Sequence, residues 1–90
     1  MVEIHTGLYA NSKGKKQGKE LHRVMEAVKV ANKLGLLANA GHGLNYFNVK
    51  NIASIEGIRG LYIGHSIIAR SVLVGIERAV REMKGLIEMA

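Results

Sequence analysis

The chain contains no cysteine, which excludes disulfides, thiolate metal sites and cysteine nucleophiles. That suits a reducing compartment, and a cytoplasmic location is the expectation. Aromatic residues are scarce: Tyr9, Tyr46, Phe47 and Tyr62 are the full set. They do not interleave with the basic residues as a base-stacking platform requires. No window approaches the roughly twenty uninterrupted apolar residues of a membrane span, and no charged-then-apolar leader opens the chain, so a soluble, unexported protein is expected. Four histidines are present without H-x-x-x-H or similar close spacing, which argues against a zinc site. A serine nucleophile elbow and a Walker loop are also missing.

What the chain does have is 90 residues, enough for one domain with a modest core, and a formal charge of +6. Much of the excess sits in Lys13, Lys15, Lys16 and Lys19. The glycine-containing stretch from Asn11 to Gly18 reads as a solvated basic loop, so nucleic acid is not the expected partner.

The apolar pattern alternates between strand and helix periods. Val2, Ile4 and Thr6 face one way and Glu3 and His5 the other, the period of a strand that Gly7 ends. From Lys19 to Leu34 a stripe of Leu21, Val24, Met25, Val28, Ala31 and Leu34 predicts an amphipathic helix, closed by Gly35 in the position of a helix C-terminal glycine. The run Leu36 to Ala40 predicts a buried strand. A short helix is expected from Asn48, its N-cap, to Ile55, with Gly57 and Gly60 closing it. Leu61 to Ile63 predicts a third strand, and Ser66 the cap of a helix that follows. Val72, Ile76, Ala79, Val80, Met83 and Ile87 share a face of the C-terminal helical region, which has a joint near Gly75. Three βα units of about thirty residues imply an α/β fold with parallel strands and right-handed crossovers. Flavodoxin-like sheets use five strands and (β/α) barrels eight, so three units correspond to part of such a fold.

The two most informative segments are Asn39-Ala40-Gly41-His42-Gly43-Leu44-Asn45 and Ile63-Gly64-His65-Ser66. Each places glycine beside histidine where a strand ends and a turn or helix begins. At such corners backbone N–H groups can face an anion, because glycine admits close approach and a first helical turn leaves its donors unpaired. Two adjacent corners make a phosphate cradle. Taken alone, His42 reads as a turn histidine and the glycines as turn geometry. Glu3 shares its strand face with His5, which in a barrel is the interior, and a buried carboxylate there needs either a cationic partner or a chemical task. His22 reads as a surface histidine within its helix, and His5 carries no role.

Taken in order, Val2-Glu3-Ile4-His5-Thr6-Gly7 with Tyr9-Ala10, Leu34-Gly35-Leu36, Asn39 to Tyr46, Asn48-Val49, Ile63 to Arg70 and Gly75 to Lys84 resemble the C-terminal third of the pyridoxine 5′-phosphate synthase family, over nearly the whole chain. The resemblance implies the sixth, seventh and eighth units of a (β/α)8 TIM barrel, with residues 1–90 a single partial barrel segment. Loops after the seventh and eighth strands of such barrels often build phosphate sites, and here they carry Gly43 and Gly64-His65.

The reaction implied is condensation of 3-amino-2-oxopropyl phosphate with 1-deoxy-D-xylulose 5-phosphate in vitamin B6 biosynthesis, without a cofactor or metal. Repeated proton transfers in ring closure suit histidine. By resemblance His42 is the proton donor of the late steps and Glu3 stabilises cationic intermediates. Gly43 and Gly64 present N–H groups to the aminoketone phosphate, with His65 adding a side-chain donor. Two further acid/base residues of the family, a histidine and a glutamate, have no counterpart in these residues, so the isolated chain is expected to be inactive. Open strand edges lead to an expectation of homo-oligomers. The other readings are an oligomeric phosphate-binding module without catalysis and a basic nucleic-acid-interacting protein using Lys13 to Lys19.

Overall fold

A computed structural model describes residues 1–90. The elements run β1 (Val2–His5), α1 (Gly7–Ala10), α2 (Gly14–Lys33), β2 (Ala38–Gly41), α3 (Val49–Ala53), β3 (Ile58–Tyr62), α4 (His65–Val74) and α5 (Ile76–Glu88). The strands form one sheet in the order β1-β2-β3, parallel throughout. The α/β class and the three βα units therefore follow the sequence pattern.

Side chains alternate across a strand, so the register fixes two faces. Val2, Ala38 and Ile58 align in one row and Ile4, Ala40 and Leu61 in another. These pack toward the helices, joining a core of Tyr9, Val24, Val28, Ala31, Val49, Ile52 and Met83. Ala38 and Ala40 are fully buried, and their small side chains let helices seat close on the central strand. On the opposite face Glu3, Asn39 and Gly60 form one row and His5, Gly41 and Tyr62 the next. Gly41 has a close-approach reason for its identity: a Cβ there would stand 2.8 Å from Cβ of Tyr62.

Helix α2 ends as its sequence implies. Gly35 has φ 76°, its N–H donates to Asn32 O and that of Leu36 to Ala31 O, the paired bonds of a Schellman motif. The joint at Gly75 (φ 88°) divides α4 from α5.

Several boundaries differ from the sequence expectation. The supposed loop to Gly18 is helical from Gly14, so Lys15, Lys16 and Lys19 project from α2. Its first turns face solvent and need no apolar residue. Gly7 begins a single helical turn that the strand pattern did not signal. Strand β3 starts at Ile58 and includes Gly60, which therefore does not close α3. Leu36 and Leu37 stay exposed ahead of β2, and Met25, Leu34, Val72 and Ile76 are exposed although their spacing assigns them to core faces. Helix α4 buries no residue at all, because nothing in these ninety residues packs over its outer face.

Candidate functional site

The strand tips and the corners that follow them enclose an open cleft of about 1100 Å³, and Glu3, His42, Gly43, Gly64 and His65 all line it. Glu3 comes from β1, His42 and Gly43 follow β2, and Gly64 and His65 follow β3. All five residues singled out in the sequence are thus brought together. Leu61, Tyr62 and Ile63 supply part of the apolar wall.

The β2 corner is the most constrained part. His42 has φ 97°, the one positive value outside glycine, in a region that costs a side-chain-bearing residue energy. Its neighbours hold it there. The Thr6 hydroxyl donates to His42 O at 2.7 Å, and the Thr6 N–H donates to Gly41 O at 2.9 Å. Gly43 follows with φ 75°, and a Cβ on it would lie 2.7 Å from Cβ of Ala10, so both conformation and space demand glycine.

Beyond the corner, two asparagines fix the loop into α3. The Asn45 side-chain oxygen accepts from the N–H groups of Phe47 and Asn48, while the Asn48 side-chain oxygen accepts from the N–H of Asn45. Asn48 also donates to Gly43 O, and its own carbonyl accepts from the Tyr9 hydroxyl. Burial pushes the Tyr9 phenol pKa up, so it stays a donor. Asn48 occupies the N-cap position without making a side-chain cap bond. Its side chain turns back to the Gly43 corner instead, while the Asn45 backbone oxygen accepts from the N–H of Val49, the first residue of α3.

The β3 corner is looser. Gly64 precedes α4, and a Cβ placed on it meets no protein atom within 4 Å. Ser66 makes no cap bond, contrary to expectation, and Gly64 holds the N-cap position. The backbone N–H groups of Gly43 and Gly64 find no protein acceptor. Both remain available to an anion in the cleft.

Glu3 is exposed to the cleft rather than buried, a correction whose cause is that β1 is an edge strand with no element across its inner face. It forms none of the four ion pairs in the protein. One neighbour of the site, which does not itself line the cleft, escaped sequence reasoning. The His5 ring stacks on that of His42 with centroids 4.2 Å apart and planes at 27°, and its Nδ1 accepts from the Gly7 N–H. The available signal was its place two residues beyond Glu3 on the same strand face. His22 lies on the surface near Glu26. No three acidic or imidazole side chains converge in a metal-binding arrangement.

Chemically, the cleft offers an unpaired carboxylate, two accessible imidazoles at its rim and amide donors at two glycines. That set can bind an oxyanion and exchange protons beside it.

Comparison with known proteins gives one consistent result. The family model described as "Pyridoxal phosphate biosynthesis protein PdxJ" matches residues 1–89. Pyridoxine 5′-phosphate synthase of Thermodesulfovibrio yellowstonii is 69% identical over 90 residues, covering 100% of this chain and 37% of the relative. The proteins of the same name from Prochlorococcus marinus strain AS9601 and Syntrophotalea carbinolica are 56% and 58% identical over 98% and 96% of the chain, and 37% and 36% of their own lengths. The chain spans little more than a third of these relatives.

Proposed function

The chain belongs to the PdxJ family of pyridoxal phosphate biosynthesis proteins, and from that membership we propose that it forms the phosphate-binding and late proton-transfer part of a pyridoxine 5′-phosphate synthase. The substrates are 3-amino-2-oxopropyl phosphate and 1-deoxy-D-xylulose 5-phosphate, and the three βα units correspond to the sixth to eighth of a (β/α)8 barrel. The observation that carries this reading is the convergence on one cleft of Glu3 from within β1 with His42, Gly43, Gly64 and His65 from the corners after the parallel strands β2 and β3.

In this mechanism the aminoketone phosphate seats between the two glycine corners. The N–H groups of Gly43 and Gly64 donate to its oxygens, with the His65 imidazole beside them. Fixed donors cost no reorganisation when charge develops, which is why backbone amides serve better than long flexible cations. His42 delivers a proton to the departing oxygen in the late steps, and Glu3 stabilises the cationic nitrogen species of ring closure. Glu3 on β1 and His42 beyond β2 reach the cleft from different strands, so carboxylate and imidazole address one small substrate from different sides.

The test is formation of pyridoxine 5′-phosphate from the two substrates, by the chain alone and by the chain joined to the remaining part of the Thermodesulfovibrio yellowstonii relative. Activity is expected only in the joined protein and is lost in His42→Ala. Full turnover by joined His42→Ala would remove His42 from the chemistry.

A further inference from the structure

We infer that His5 is a positioning residue for His42: its imidazole, stacked face to face on the His42 ring, sets that ring's direction into the cleft. This rests on the reading of His42 as the proton donor.

Three consecutive residues at the end of β1 act on one histidine far along the chain. His5 stacks on its ring at 4.2 Å. Thr6 holds its carbonyl through a 2.7 Å hydrogen bond. Gly7 makes room for the pair: a Cβ there would stand 2.6 Å from Cε1 of His5 and 3.0 Å from Cδ2 of His42. Gly7 is not among the positive-φ glycines, so its backbone would accept alanine. The rings are what require its missing side chain.

Burial does not account for the stack, because both His5 and His42 are exposed residues outside the core. The Gly7 N–H donates to Nδ1 of His5 at 3.2 Å, which places the proton of the neutral His5 ring on Nε2. The same bond fixes the orientation of the ring, so His42 rests against a surface that is itself held. A catalytic imidazole needs this support: its backbone occupies an unfavourable region, and its ring has no hydrogen bond of its own to direct it. Misplacement of a reacting group by about 1 Å can cost roughly 100-fold in rate.

The test uses the 90-residue chain labelled with 13C and 15N in histidine and needs no turnover. In the unaltered chain the His42 ring protons are expected upfield from stacking, and the His5 nitrogens should report the Nε2–H tautomer. His5→Ala removes the upfield shift of His42, and Gly7→Ala does the same with His5 still present. His5→Phe restores the shift by restoring a ring. The His22 and His65 signals and the thermal midpoint stay unchanged in His5→Ala, separating positioning from general loss of structure. His42 signals that are identical with and without His5, or a His5 ring protonated on Nδ1 when neutral, would overturn the inference. Failure of the catalytic reading appears elsewhere, in product formation by joined His42→Ala.

Discussion

At the residue scale the corner after β2 holds a conformation that its side chains do not favour. A non-glycine residue at φ 97° stores on the order of 1–3 kcal/mol, repaid by the surrounding structure. Thr6 is fully buried, and its hydroxyl bond to His42 O is a large part of that repayment. Thr6→Val keeps shape and removes the donor, and we expect a loss of about 1–3 kcal/mol in urea denaturation, with an unchanged slope. The two cleft glycines should behave oppositely. Gly43→Ala is strained in φ and meets Ala10 at 2.7 Å, so it should destabilise the fold by about 1–3 kcal/mol. Gly64→Ala meets open space and should leave the denaturation curve within about 0.5 kcal/mol of the parent. Its methyl group lies at the cleft, so weaker uptake of inorganic phosphate, followed by NMR titration, is the expected change. Strong phosphate binding by Gly64→Ala would contradict the cradle.

Helices α4 and α5 are held to one another by charge as well as packing. Arg70 on α4 donates to Glu82 on α5 at 2.9 and 3.4 Å, and Arg78 adds a bond at 3.2 Å. The Arg70 bond is the main reason the Glu82 carboxyl titrates below its ordinary 4.5, assisted by Arg78 and opposed by desolvation. A depressed acid binds its proton more weakly in the folded state than in the unfolded one. Its stabilisation is therefore complete above pH 4.5 and lost as pH falls through the lower folded value. The difference in melting temperature between the parent and Glu82→Gln should be constant near neutrality and shrink below pH 4.5. It will be small, because the pair is only half-buried and solvent still screens it. Legibility at this scale followed the same physics. The Gly35 stop of α2 and the Gly75 joint were readable because glycine has a conformational reason to be there. The first turns of α2 were not, because Gly14, Lys15, Lys16 and Gly18 face solvent and leave no apolar stripe. The cleft residues stood out as Gly-His pairs at strand ends, whereas the His5–His42 stack depends on strand register and a left-handed corner that no local pattern encodes.

For the whole molecule, surface is the quantity out of balance. A compact monomer of 9.8 kDa exposes about 5200 Å², whereas this chain exposes 6156 Å². The excess, on the order of 1000 Å², matches what one partner buries in a specific protein interface. Part of it lies on α4, where Val72 and Leu73 are 81% and 78% exposed, and the outer edges of β1 and β3 have no strand beside them. Unpaired parallel edges next to an uncovered apolar helix recruit other chains. In relatives nearly three times as long, further chain is available to cover these surfaces; for this chain alone we expect a second copy to take that place. Light scattering should accordingly give a mass above 9.8 kDa that rises with concentration, and Val72→Lys combined with Leu73→Lys should lower it while the far-ultraviolet circular dichroism stays the same. Joining the chain to the rest of a relative should lower the self-association of this region in the same way, because edge and helix then have their partners. A single species of 9.8 kDa at all concentrations would mean that the exposed edges and α4 are tolerated by water, and that oligomerisation plays no part in holding the cleft together.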